Sequence, residues 1–221
     1  MGAPDVNVLA IWERGDRQRA SQRVLAMLRG TEPELPADAL LALRRALYGE
    51  HFAASTTCPT CSEAIEVEFD LDDVAREATG AAEPLTAEGI VFRLPTAGDL
   101  IAIETAPDAA AARDALLRRC IIDAQRPVGD DLAAVIAERM AGADPQADIT
   151  LPVGCPSCGD GWREPFDIAS FLWIEIAAAA RRLLQVVHRL ASSYGWSEQQ
   201  ILALTPSRRH AYLEMLPWPT S

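Results

Sequence analysis

Cys58–Leu71, CPTCSEAIEVEFDL, and Cys155–Ile168, CPSCGDGWREPFDI, decide how this chain is read, because the two stretches match in register. Counted from the first cysteine of each, Pro follows at one step and the second Cys at three. A large apolar residue stands at seven (Ile65, Trp162), Phe at eleven (Phe69, Phe166), Asp at twelve (Asp70, Asp167), and Leu71 or Ile168 at thirteen. This is an internal repeat whose copies are separated by residues 72–154.

Two residues between cysteines let a tight turn aim both sulfurs at one ion, while backbone N–H groups of the turn stabilise the thiolates. Each pair then supplies half a tetrahedron. Two such knuckles, each leading into a strand, predict a split four-cysteine zinc ribbon. Its halves are related by a pseudo-twofold axis about one structural Zn2+ held by Cys58, Cys61, Cys155 and Cys158. Four thiolates fill the shell and leave no position where a water could be activated, so the expected role of the metal is structural. The competing readings are a redox dithiol and a pair of unligated turns. A thioredoxin-like dithiol is a single pair at a helix start within a βαβ pattern, which these stretches do not resemble. Cys120, the fifth cysteine, sits in LLRRCIID on a predicted helix and reads as a small buried hydrophobe.

Composition narrows the function classes. The chain has 221 residues, 49% of them hydrophobic, enough for one substantial domain or two small ones. Its formal net charge of -12 opposes a phosphate backbone, which is bound by releasing counterions with clustered positive charge. All 20 basic residues are Arg. Without Lys, neither a Walker-type phosphate loop nor Schiff-base catalysis is available. MGAPDVNVLAIWERGD has no basic start followed by an apolar run and does not read as a secretory signal, so a cytoplasmic protein is expected. The most apolar long segment, IASFLWIEIAAAARRLLQVV, contains Glu175, Arg181 and Arg182 and predicts a soluble helix instead of a membrane span.

The expected fold class is α+β and mostly helical. Residues 1–50 read as an N-terminal helical segment, with two helices between Asp16 and Leu47 and a turn at Pro33 to Pro36. Gly49 is placed to close the second of them. Residues 51–80 hold the first half of the ribbon, with a strand at Ile65–Leu71. Residues 81–148 read as a mostly helical insertion with a short strand at Ile90–Leu94. Helix caps are expected there at Thr96 with Asp99, at Asp108 ahead of AAAARDALLRRCII, and at Asp130. Residues 149–168 hold the second half of the ribbon. Residues 169–221 follow, with a long helix from about Ile168 to Tyr194, ended by Gly195, and two short helices begun by Ser197 with Gln200 and by Thr205–Pro206.

No catalytic constellation can be assembled from these residues, and the chain is not expected to be an enzyme. His51, His188 and His210 lie in three different segments. His51 is close enough to Cys58 to be considered a ligand, but four cysteines already suffice and a solvated loop is expected. His188 and His210 read as surface residues. Asp70, Asp72 and Asp73 read as a solvated strand edge. Asp70 and Asp167, at one step of the repeat, are expected to take backbone or Arg hydrogen bonds where each strand turns into the next element.

The layout as a whole resembles the T4-type baseplate hub assembly chaperones of contractile phage tails and phage-tail-like injection systems. The resemblance is carried by ALLALRRALYGEHF, the CPTC knuckle, FRLPTAGDLIAI and the CPSCG knuckle feeding PFDIASFLWIEI. It rests most on RRLLQVVHRLASSYGWSEQQILALTPSRRHAYLEML, and it covers most of the chain. It implies an intracellular factor that helps the baseplate hub form through protein contacts, with hub or other tail proteins as partners and neither nucleic acid nor membrane. By position, the four paired cysteines look like the zinc ligands of zinc-bearing relatives. Trp218 in the tail LPWPTS and the Arg208/Arg209 pair are the candidate exposed anchors for such contacts. The alternatives are a permanent zinc-ribbon subunit of the baseplate and a DNA-binding regulator using the C-terminal helices, the latter disfavoured by charge.

Overall fold

The computed structural model describes residues 8–28, 36–74 and 84–216. The sequence readings at residues 33–35, in the tail from Pro217 and at the first seven residues lie outside them. The architecture is α+β with helix predominating, and the strands among the described residues form three small antiparallel sheets.

Among the described residues the first elements are the helices α1 (Val8–Gly15), α2 (Ala20–Met27) and α3 (Pro36–Tyr48). The first lies within the N-terminal segment read as helical, but ahead of the two helices placed between Asp16 and Leu47. Gly49, at φ 84°, ends α3 and donates its N–H to Arg45. Next comes a hairpin of β1 (His51–Thr57) and β2 (Ala64–Asp70), paired from His51↔Asp70 to Thr57↔Ala64 with the first CPxC knuckle as its turn. The short helix α4 (Leu71–Val74) follows directly, so Leu71 starts a helix where a strand was expected to end. The second copy repeats this plan. There β6 (Thr150–Gly154), the second knuckle, β7 (Gly161–Pro165) and α8 (Ile168–Tyr194) succeed one another, with Thr150↔Pro165 to Gly154↔Gly161 in register.

The two copies pack together through equivalent residues. Phe69 and Phe166 meet edge to face at 5.1 Å, Phe52 stacks on Phe69 at 4.8 Å, and Phe171 closes the cluster at 5.3 Å from Phe166. Helices α1, α2, α3 and the first half of α8 cover this core with Ile11, Met27, Leu40, Leu172 and Ile176. The approach of α1 to α8 is close enough that a Cβ on Gly15 would lie 2.5 Å from the Trp173 ring. Only glycine fits there.

Arg44 of α3, 3% exposed, lies inside this packing. It donates to both oxygens of Glu175 on α8 at 3.1 and 3.0 Å and to the Gly49 carbonyl at 2.7 Å, with its guanidinium 3.8 Å from the Phe52 ring centroid. Three elements are locked by one side chain. A bidentate fork over an aromatic face is geometry that Lys cannot reproduce.

The middle of the chain is less purely helical than its sequence suggests. A three-stranded sheet of β3 (Leu85–Ala87), β4 (Ile90–Phe92) and β5 (Ile121–Ala124) packs with α6 (Ala109–Cys120) and α7 (Asp130–Ala143) around Ile90, Phe92, Leu117 and Ile136. The run read as one helix through Ile122 breaks at Cys120, because Ile121 turns extended and pairs with Phe92. Between β4 and α6 lies α5 (Ala97–Ile103), and the carboxylate of Asp99 accepts from the Thr96 N–H at 2.9 Å as the cap predicted. Asp99 does more, since it is 1% exposed and also receives Arg93 and Arg119, the latter at 2.9 Å. Asp108 caps α6 as expected, accepting from Ala111. Asp130 does not cap α7. Gly129 holds that position, while the Asp130 carboxylate faces Arg113 at 3.2 Å.

Helix α8 follows the expected faces. Ile168, Leu172, Ile176, Val187 and Leu190 are buried, and Arg181, Gln185, His188 and Ser192 are exposed. At about 1.5 Å per residue it is about 40 Å long, and its far end carries a separate small core. There α9 (Glu198–Leu202) and α10 (Pro206–Glu214) pack Ile201, Tyr212 and Leu213 against Leu190 and Tyr194. Gly195 ends α8 and the Ser197–Gln200 box opens α9, both as read. No helix among the described residues is long and apolar enough to cross a membrane.

Candidate metal centre

The local chemistry of the centre is set by two knuckles built alike. In the first, the Cys58 N–H donates to the Glu63 carbonyl at 2.9 Å and the Ser62 N–H to the Cys58 carbonyl at 2.9 Å. In the second, the Cys155 N–H donates to Asp160 at 2.8 Å and the Gly159 N–H to Cys155 at 3.0 Å. Ser62 and Gly159 occupy the same repeat step, and both have positive φ, 62° and 76°. The turn needs one left-handed residue there. Thr60 of the first knuckle donates to the Asp160 carboxylate of the second and joins the halves beside the sulfurs.

All four predicted ligands converge. Cys58 Sγ lies 3.7 Å from Cys158 Sγ and Cys61 Sγ lies 3.6 Å from Cys155 Sγ. All four sulfurs lie within 4.8 Å of one another. A tetrahedron with Zn–S bonds of about 2.3 Å has its sulfurs about 3.8 Å apart, so the set fits an ion of that size. The separations are far longer than the roughly 2.05 Å of a disulfide. Both of these contacts cross between the knuckles, so the two pairs face one common space. Cys58 and Cys155 are buried, whereas Cys61 and Cys158 are exposed.

Backbone dipoles tune the sulfurs in the repeated way. The N–H of Cys158, helped by that of Ser157, pulls the Cys155 thiol down to about 7 against its burial. The Glu63 N–H acts in the same sense on Cys61. The sulfurs of Cys155, Cys158 and Cys58 nevertheless crowd Cys61 and, with burial, push it up to about 12. Cys158 is also raised, although the Asp160 N–H opposes this. Four negative charges cannot gather in this space without a cation. A divalent metal binding here displaces protons, and its affinity falls as pH falls.

The remaining sequence candidates fall outside this cluster. His51 is not in a loop, because it opens β1 opposite Asp70, and its exposed ring contacts the Asp70 carboxylate at 3.1 Å. Asp167 takes the Ala169 and Ser170 N–H groups at 2.9 and 3.2 Å and caps α8 as expected. Asp70 departs from its repeat mate, since its own N–H donates to the Asp73 carboxylate and its side chain faces His51. Cys120 is fully buried, and its burial, with Asp99 nearby, pushes its thiol up to about 11. His210 faces Glu214 at 3.3 Å on α10. Arg209 is no free anchor, because it donates to the Leu202 and Leu204 carbonyls at 3.3 and 2.8 Å and closes the end of α9. Arg208 is exposed, and Trp218 lies outside the described residues.

Arg44, buried among the described residues, was not singled out by sequence reading, and Asp99 was read only as the cap partner of Thr96, without its Arg93 and Arg119 partners. The bidentate partner of Arg44, Glu175, is remote in sequence, so nothing within α3 could have pointed to it. Comparison with protein-family models, with curated proteins and with solved structures found no match to this chain.

Proposed function

We propose that the chain is a non-catalytic assembly factor whose shape is clamped by one zinc ion in a split ribbon of two knuckle hairpins. The observation that carries this reading is the convergence of Cys58, Cys61, Cys155 and Cys158 within 4.8 Å from two remote copies of one repeat. Thiolate-rich tetrahedral sets select zinc among common divalent ions, and a filled shell gives a structural role. The ion would join the segment before residue 75 to the segment after residue 148, with the whole insertion looped out between them.

The class of partner rests on the resemblance stated above. The shared C-terminal block corresponds to the second half of α8 with α9 and α10, where Tyr194, Trp196 and Tyr212 cluster within 5.7 Å of one another. Baseplate hub or other tail proteins of a contractile phage tail or injection system are the proposed partners, met in the cytoplasm through protein contacts. The second reading is a permanent baseplate subunit, favoured by how firmly the clamp would fix one shape.

Metal analysis of the purified chain tests the first half of the proposal, with one zinc per chain expected. A chelator or Cys155→Ser should remove the zinc and lower the melting temperature. A metal-free chain of unchanged stability, or a stoichiometric iron–sulfur spectrum, overturns it. Quantifying the chain in lysate and in purified contractile particles tests the second half. Presence in lysate with absence from particles supports an assembly factor, and a fixed particle stoichiometry supports the subunit reading.

A further inference from the structure

Across the centre, each exposed cysteine faces a buried one of the other knuckle. Cys61 faces Cys155 with sulfurs 3.6 Å apart, and Cys158 faces Cys58 with sulfurs 3.7 Å apart. Each contact joins the first cysteine of one knuckle to the second of the other, so the repeat makes the two contacts equivalent. Closing one leaves the other free to close. The turns behind them are pinned by their own backbone bonds, Cys58 to Glu63 and Cys155 to Asp160, and the Thr60 hydroxyl ties one knuckle to the Asp160 carboxylate of the other. With the backbones already docked, side-chain movement is what separates these contacts from the roughly 2.05 Å of a disulfide.

Exposure decides where oxidation starts, because cysteine oxidation follows thiolate character and access. Cys61 and Cys158 are the exposed members of the set, whereas Cys58 and Cys155 are 1% and 4% exposed. The exposed thiolate attacks hydrogen peroxide, takes one oxygen to become a sulfenic acid and releases hydroxide. The buried thiolate facing it then attacks the sulfenic sulfur, the S–S bond forms, the S–O bond breaks and a second hydroxide leaves. Two thiolates have given up two electrons, and one peroxide has become two hydroxide ions. Repeated at the second pair, the reaction consumes all four ligands and frees a bound zinc as the dication.

We propose that the centre is a peroxide-oxidisable site in which two cross-knuckle disulfides, Cys58–Cys158 and Cys61–Cys155, take the place of the zinc ion. The release of zinc rests on the metal reading given above, and the pairing of the cysteines does not. The disulfides span 100 and 94 residues and join the same two parts of the chain that the ion would join. Oxidation therefore exchanges a metal clamp for a covalent one and keeps the shape. Disulfides formed inside each CPxC knuckle would free the metal and leave the two parts unjoined, so the pairing decides what oxidation does to the molecule.

The test treats the full purified chain, its metal content first measured, with hydrogen peroxide, blocks residual thiols with N-ethylmaleimide and digests it with trypsin without reductant. Because the chain has no Lys, trypsin cuts after Arg alone and leaves Cys58 and Cys61 on residues 46–76 and Cys155 and Cys158 on residues 140–163. Mass spectrometry should find these two peptides joined by two disulfides, with one zinc released per chain. The oxidised chain should keep its melting temperature in EDTA and lose it there once dithiothreitol is added. Cys61→Ser/Cys155→Ser, which keeps the facing pair Cys58 and Cys158, should still give joined peptides. Cys61→Ser/Cys158→Ser, which keeps only the two buried cysteines, should lose them. The parent digest decides the matter even where a double variant does not fold. The proposal is overturned by separate peptides each carrying an internal disulfide, by unjoined peptides with sulfinic or sulfonic acid on Cys61 and Cys158, or by equal joining in the two folded double variants. A metal-free chain whose peptides join ends the zinc reading and keeps the pairing, and a zinc-loaded chain whose peptides never join does the reverse.

Discussion

Ser62 and Gly159 show how far a repeat constrains single residues. Both stand one step after the second cysteine, both donate to the first cysteine's carbonyl, and both are left-handed, yet only one is glycine. A non-glycine residue in that region carries strain of about 1–2 kcal/mol, partly offset because glycine loses more entropy on folding. Ser62→Gly is therefore expected to stabilise the zinc-loaded chain by about 0.5 kcal/mol. Gly159→Ala should destabilise it by about 1 kcal/mol. No atom lies within 4 Å of a Cβ added at Gly159, so the loss would come from the backbone alone. Urea denaturation of the two variants checks this, and a neutral Gly159→Ala would contradict it.

Among the elements, α5 with its neighbours makes the clearest electrostatic statement. The Arg93 guanidinium, joined by the Thr96 N–H and Arg119, holds the Asp99 carboxyl far below the usual carboxylate range despite its burial. A carboxyl depressed in the folded state adds stability that is fully present above its unfolded value of about 3.9 and is lost as pH falls below it. The insertion should therefore lose stability on acidification below about pH 4. Asp99→Asn should cost about 3 kcal/mol at neutral pH, because two guanidinium groups lose their counter-charge. It should also flatten the acid limb, so melting temperatures of both proteins between pH 7 and 3 decide the matter. A parallel fall in the two curves would exclude this origin. Elements of this length were legible in part. The long period of α8 and its capping residues could be read directly, whereas HFAASTT shows little alternation and the strand β1 it forms was not foreseen. In the same way, the helical pattern of α6 runs on into β5 and hides the break at Cys120.

At the scale of the molecule, the described residues form three apolar clusters along the chain, and the largest contains both knuckle hairpins. The same cluster holds Cys58 and Cys155, so the proposed ion would sit against the main core and not on a detached finger. Loss of one ligand should then disturb one site shared by both halves. Cys61→Ser and Cys158→Ser, made singly, are expected to lower stability by similar amounts. The double variant should fall little below either single one, because groups acting on one centre are not additive. Calorimetry on the four proteins checks this. Full additivity would mean two independent knuckles and no shared ion.

Spacing and repetition along the chain were enough to name the four cysteines, the two repeated knuckles and most of the capping residues, because turns, caps and helical faces depend on neighbours a few residues away. Tertiary structure alone brought Arg44 to Glu175, and Arg93 and Arg119 to Asp99. Those pairings join residues on different elements, and a charged side chain on a helix looks the same in sequence whether it meets water or a partner. Burial, which decides what such a charge does, is fixed only when the elements pack.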